Sequence, residues 1–293
     1  MKLLHPVTLA KLSNLRLRVQ RVVEGVLSGL HSSPYKGHSL EFSQHREYAY
    51  GDELRHIDWK VYGRSDRFFI KQFQDETNLR AYLLLDASGS MGYRSQGSPG
   101  GLSKLDYASQ LSAALAYLLL RQEDAVSLGV FDTSLRFFLP PRHQLSHFSL
   151  LCDKLETLAP GGETGIETVL KGFGRFMKRR GLVIVVSDLL ADPAEVLKTL
   201  KFFRFRHHEV MVFHVLDPEE IGFHFSGEAL FRHAENKEEL FADADAIGEA
   251  YRGVFAKFLE EYKTGFRSAG IDYHLVTTDT PLETALARCM RGR

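Results

Sequence analysis

Asp86, Ser88 and Ser90 stand at alternate positions in Ala81-Tyr82-Leu83-Leu84-Leu85-Asp86-Ala87-Ser88-Gly89-Ser90-Met91-Gly92. Three oxygen-bearing side chains at that spacing can converge on one point from a single loop. With no His or Cys among them, they suit a hard cation such as Mg2+, Mn2+ or Ca2+ rather than zinc. The apolar run before Asp86 reads as a buried parallel strand that delivers the loop.

The elements that must position this loop follow from the hydrophobic pattern. Apolar runs predict strands at 81–86, 125–131, 182–187, 209–216 and 272–277. Helical spacing predicts helices at 104–122, 145–158, 166–180, 193–205, 243–269 and 281–290. Ser103 with Asp106, Asp192 with Pro193, and Thr280 with Pro281 supply start signals. A short strand at 134–138 should pair with the second strand, and a further hairpin is expected within 221–234. Alternating strands and helices define an α/β fold, a doubly wound and mostly parallel sheet with helices on both faces. An amphipathic helix is expected within 7–30, packing on its own domain. The chain then divides into an N-terminal helical and irregular extension, 1–80, and an α/β domain, 81–293.

Bulk properties narrow the classes. The 293 residues carry 37 Lys and Arg against 37 Asp and Glu, which argues against a polyanion as the main partner. The basic runs at 178–180 and 201–208 fall at helix ends, where cations complement the helix dipole. Cys152 and Cys289 are far apart, so neither a disulfide framework nor a thiolate metal site is expected. No apolar run approaches the roughly 20 residues that cross a bilayer. A soluble, cytoplasmic protein is the expectation.

Each main strand ends at or near an aspartate: Asp86, Asp132, Asp188, Asp217 and Asp279. Asp favours turns and helix starts, yet these five would line the carboxyl edge of the sheet, where doubly wound folds bind ligands. Asp86 and Asp188 should flank the point where strand order reverses.

This pattern resembles the von Willebrand factor A (vWA) fold and its metal-ion-dependent adhesion site. The D-x-S-x-S element matches Asp86, Ser88 and Ser90. The threonine of a glycine-flanked loop matches Thr164 in Gly161-Gly162-Glu163-Thr164-Gly165, and the strand-ending aspartate matches Asp188. A narrower resemblance rests on Glu47-Tyr48-Ala49-Tyr50-Gly51-Asp52-Glu53-Leu54-Arg55-His56-Ile57-Asp58-Trp59-Lys60, with Arg64 and the segment 69–76. It is similar to the bacterial family called domain of unknown function 58, whose members are associated with MoxR-type AAA+ ATPases.

The resemblance implies a Rossmann-like vWA sheet and a Mg2+ (or Mn2+ or Ca2+) site of Asp86, Ser88, Ser90, Thr164 and Asp188. Its implied role is protein–protein interaction without catalysis, as an adaptor for a MoxR-type ATPase, with a partner Asp or Glu reaching the ion. The alternative is a metal-assisted hydrolase using Asp86 and Asp188. Ser88 stands where a haloacid-dehalogenase-like phosphatase needs its second aspartate, and no GxSxG, GxxxxGK[ST] or HExxH motif occurs. The charged block around Asp52, Arg55, Asp58 and Trp59 reads from its residues as a solvated face. The resemblance favours a partner-binding surface there, and a clasp over a sheet edge is the rival reading.

Overall fold

The computed structural model describes residues 14–31, 45–47, 59–65, 67–71, 79–95, 101–177, 179–235 and 238–291. The chain forms two compact units, one of residues 30–78 and one of residues 1–29 with 79–293. In the smaller unit, strands β1 (His45–Glu47) and β2 (Phe69–Lys71) pair antiparallel, and helix α2 spans Trp59–Ser65. Asp52, Arg55 and Asp58 lie outside the described residues. Trp59 opens α2.

The larger unit holds a six-stranded sheet. Its strands are β3 (Arg80–Asp86), β4 (Ala125–Phe131), β5 (Leu135–Arg142), β6 (Leu182–Ser187), β7 (Glu209–Leu216) and β10 (Asp272–Thr277). They lie in the order β10-β7-β6-β3-β4-β5, all parallel except the edge strand β5. This is the doubly wound order, and it reverses between β3 and β6. Alternate residues feed two cores. Ala81, Leu83 and Leu85 of β3, with Leu182, Ile184 and Val186 of β6, face one side. Tyr82 and Leu84, with Val183 and Val185, face the other. The central strands β3, β4, β6 and β7 read as apolar runs because both faces are covered, whereas the edge strands β5 and β10 are partly exposed.

Helices α3 (Lys104–Arg121), α4 (Ser146–Glu156) and α9 (Leu282–Arg291) lie on the first face with α1 (Leu15–His31). The second face carries α5 (Ile166–Phe173), α6 (Pro193–Phe205) and α8 (Ala244–Ser268). Ser103 and Asp106 form the expected capping box on α3, and Asp192 caps α6 ahead of Pro193. Leu15, Val19, Val22, Val23 and Val26 of α1 sit in the first core, so this helix packs on the α/β unit.

Two expectations are corrected. The helix expected to run to 180 ends at Phe173, where Gly172 and Gly174 weaken helix propagation. The hairpin expected within 221–234 lies further on. Helix α7 (Pro218–Gly222) comes first, and strands β8 (Glu228–Arg232) and β9 (Glu239–Asp243) follow. Asp217 and Glu220 form a capping box on α7, with Pro218 in its first turn, so the chain leaves β7 as helix rather than strand.

The α1 packing has a direct test. Leu15→Ala, at a site 2% exposed, should cost about 2–4 kcal/mol in urea denaturation. Leu17→Ala, at a site 58% exposed, should change stability by under about 0.5 kcal/mol.

Candidate functional site

Strands β3 and β6 are neighbours, so Asp86 and Asp188 emerge side by side at the carboxyl edge, both fully buried. Ser88 N–H donates to Asp86 Oδ1 at 2.9 Å, which folds the loop back on its own strand end. Ser187 Oγ donates to Asp86 Oδ2 at 2.6 Å. A short 3-10 turn, Gly89–Gly92, then brings the Ser88 and Ser90 hydroxyls within 3.1 Å of each other, and Ser90 lies close enough to help hold the Asp188 carboxyl down. Asp86, Ser88, Ser90 and Asp188 therefore form one buried oxygen cluster.

The loop carrying Thr164 is registered against this cluster by main-chain bonds. Gly89 N–H donates to Gly162 O at 2.8 Å, and Gly161 N–H donates to Ala87 O at 3.0 Å. Gly162 has φ +74°, a conformation that side-chain-bearing residues rarely adopt, and a Cβ there would also press on Asp132. Arg136, on the edge strand β5, binds both loops at once. Its Nη2 donates to Ala87 O and Gly161 O at 3.0 and 2.8 Å, and its Nη1 donates to Ala159 O at 2.6 Å. Its Nε pairs with Asp132 at 2.7 Å. Thr164 Oγ1 donates to Glu235 Oε1 at 2.8 Å.

Lys104 is the main residue that sequence reasoning missed. It is fully buried at the start of α3, and its ammonium donates to Asp188 Oδ2 at 2.8 Å and Glu220 Oε1 at 2.6 Å. A lysine in a helix's first turn works against the dipole, and that misplaced charge was its sequence signal. Burial alone would push the Asp188 carboxyl up. The Lys104 ammonium and the bonds from Ser90 and Leu190 override it, holding Asp188 below the usual carboxylate range. Burial and the neighbouring Asp188 charge push Asp86 up to about 7. The other strand-end aspartates have local duties. Asp217 caps α7, Asp132 anchors Arg136, and Asp279 accepts from Thr277.

His214, buried on β7, closes the back of the site. Its Nε2 donates to Asp188 O at 2.7 Å, and its Nδ1 accepts from the Tyr273 hydroxyl at 2.8 Å. Both nitrogens are committed in the neutral ring, so it is not placed as a base for either serine. Burial pushes the imidazole down to about 4.

The donor set consists of three hydroxyls and two carboxylates. Among the described residues, no group of three or more His, Cys, Asp or Glu side chains is placed to hold a metal ion. An ion at this edge would rest mainly on Ser88, Ser90 and Thr164, a set that fits a hard divalent cation.

A doubly wound sheet with a D-x-S-x-S loop at its switch point places the protein in the vWA-like α/β class. The chain belongs to the family described as protein of unknown function DUF58, whose model matches residues 44–263. An uncharacterized protein of Mycobacterium tuberculosis is 26% identical over 234 residues, covering 79% of this chain and 72% of its own. An uncharacterized protein of Mycobacterium bovis gives the same figures. Among solved structures, BatB from Bacteroides thetaiotaomicron is 17% identical with a TM-score of 0.46, covering 73% of this chain and 98% of its own. The vWF domain of the type V pili tip protein Mfa5 from Porphyromonas gingivalis is 11% identical with a TM-score of 0.39, covering 72% and 94%.

Two measurements check these electrostatics. Lys104→Met would leave Asp188 and Glu220 without their cation and should cost roughly 3–5 kcal/mol at neutral pH. Lys171→Met, which removes an exposed pair with Glu167, should cost under about 1 kcal/mol. For His214, the unfolded chain takes up a proton near pH 6.5 and the folded chain only near 4. Its contribution is full above pH 6.5 and falls as pH drops towards 4. Asp86 acts in the opposite sense below about 7, so the comparison with a variant carries the test. From pH 6.5 to 4, His214→Gln should lose about 3 kcal/mol less stability than the wild type.

Proposed function

We propose that this protein is a non-catalytic, divalent-metal-dependent protein-interaction module, acting as an adaptor for a MoxR-type AAA+ ATPase in the cytoplasm. The observation that carries this reading is the buried oxygen cluster of Asp86, Ser88, Ser90 and Asp188 at the switch point, with the Thr164 loop bonded alongside. Ser88, Ser90 and Thr164 would hold Mg2+ (or Mn2+ or Ca2+) through neutral hydroxyls. Asp86 and Asp188 would ligate it or orient the hydroxyls. Bound there, the cation supplies an under-neutralised centre that attracts a carboxylate from a partner.

The chain's own residues support recognition more than turnover. Lys104 neutralises Asp188, so the site's negative charge is limited, and Arg136 fixes the two loops against each other. The Ser88 hydroxyl is bonded to Ser90, and the imidazole of His214 behind the site is committed to the Asp188 carbonyl and the Tyr273 hydroxyl. No described helix is long and apolar enough to cross a membrane. Asp52, Arg55, Asp58 and Trp59 are assigned to a second contact with the ATPase on the strength of the family signature.

Calorimetric titration with Mg2+ and Mn2+ tests the site. Wild type should bind saturably, and Ser88→Ala/Ser90→Ala should weaken binding by at least tenfold, as loss of ligands or their supports does. A purified MoxR-type ATPase should be captured in Mg2+ and released by EDTA. A folded wild type that binds neither ion, or capture indifferent to EDTA, would overturn the reading. Trp59→Ala should reduce capture while leaving the melting temperature within about 2 °C.

A further inference from the structure

The hairpin β8–β9 is an insertion between β7 and α8, and its turn reaches the candidate site from outside the sheet. It is anchored at its base. Ala244 N–H donates to Gly227 O, Gly227 N–H donates to Asp245 Oδ2, and Phe231 stacks on Phe223 at 5.6 Å. Within the turn, His233 N–H donates to Glu238 O at 2.7 Å, and Glu235 N–H donates to His233 Nδ1 at 3.2 Å.

Two independent contacts fix where the turn lands. The Ala234 carbonyl presses on the D-x-S-x-S loop so closely that a Cβ on Gly89 would lie 2.8 Å from its oxygen. The Glu235 carboxylate then receives the Thr164 hydroxyl at 2.8 Å. The chain thus delivers its own carboxylate to the hydroxyl that would hold the ion. Of the acidic side chains on α7, Glu219 accepts from the Tyr93 hydroxyl and Glu220 from the Lys104 ammonium.

We infer that Glu235 is an internal carboxylate ligand of this site, carried in by the hairpin to the position a partner's Asp or Glu would take. This rests on reading the cluster as a divalent-cation site, and it adds a ligand from a segment outside the D-x-S-x-S, threonine and aspartate elements. A hydroxyl-rich site gains one negative charge from within the chain, which raises cation affinity. An external carboxylate then binds by displacing Glu235.

The test is Mn2+ binding to the full chain, followed by water-proton relaxation and by calorimetry, for wild type, Glu235→Ala and Glu235→Gln. Glu235 is half-buried at a hairpin turn, so both variants should fold. Glu235→Ala should weaken Mn2+ binding by about tenfold and raise the relaxivity of the bound ion, as water replaces the lost carboxylate oxygen. Glu235→Gln, which keeps the shape but not the charge, should lose affinity to a similar extent. If Mn2+ binds all three proteins with equal affinity and relaxivity, Glu235 is not a ligand and the cation-site reading stands alone. If the folded wild type binds no Mn2+, both readings fall together.

Discussion

Two carboxylates end adjacent strands inside a core that is apolar on both faces, and the architecture around them answers the energetic problem this creates. Burying one charge is expensive, and burying two of the same sign beside each other is more so. The chain answers with donors from many segments. Asp86 is met by Ser187 and the Ser88 amide, and Asp188 by Ser90 and Lys104. Lys104 in turn requires Glu220, which fixes α7 against the start of α3. The positions of two helices at this edge are thus set by electrostatics as much as by packing.

The same constraint separates the two aspartates chemically. Asp188 is held ionised by a neighbouring ammonium, whereas Asp86 has only hydroxyl and amide donors and a like charge beside it. Two residues of one type, on neighbouring strands, so acquire different proton affinities from their surroundings alone. Arg136 does for the backbone what Lys104 does for the side chains. Carbonyls at the loop ends would repel one another at this separation, and the guanidinium fork gathers them.

Much of this was legible in the residues, for identifiable reasons. Strands buried on both faces leave apolar runs, so β4, β6 and β7 were readable to the residue, as was the partly exposed edge strand β10. Capping signals at Ser103 and Asp192 are local and carried over directly. The hairpin was placed too early because Glu228–Arg232 and Glu239–Asp243 are short and half exposed, with Leu230, Leu240 and Phe241 facing solvent and blurring the alternation. Lys104, Arg136 and Glu235 were not singled out for a different reason. Their partners lie in other elements, and no spacing rule connects residues that only the folded topology brings together.

That non-locality has a kinetic consequence. The bonds that define the site join residues 84, 101, 116 and 71 positions apart in the chain. Closing such loops is entropically demanding, so contacts of this range form after local structure. A collapsed chain with its helices formed, but with β6 not yet beside β3, would have no site at all. Any ligand of this edge is therefore a reporter of completed topology. It stabilises the native state by mass action, and its effect falls on the rate of unfolding rather than the rate of folding.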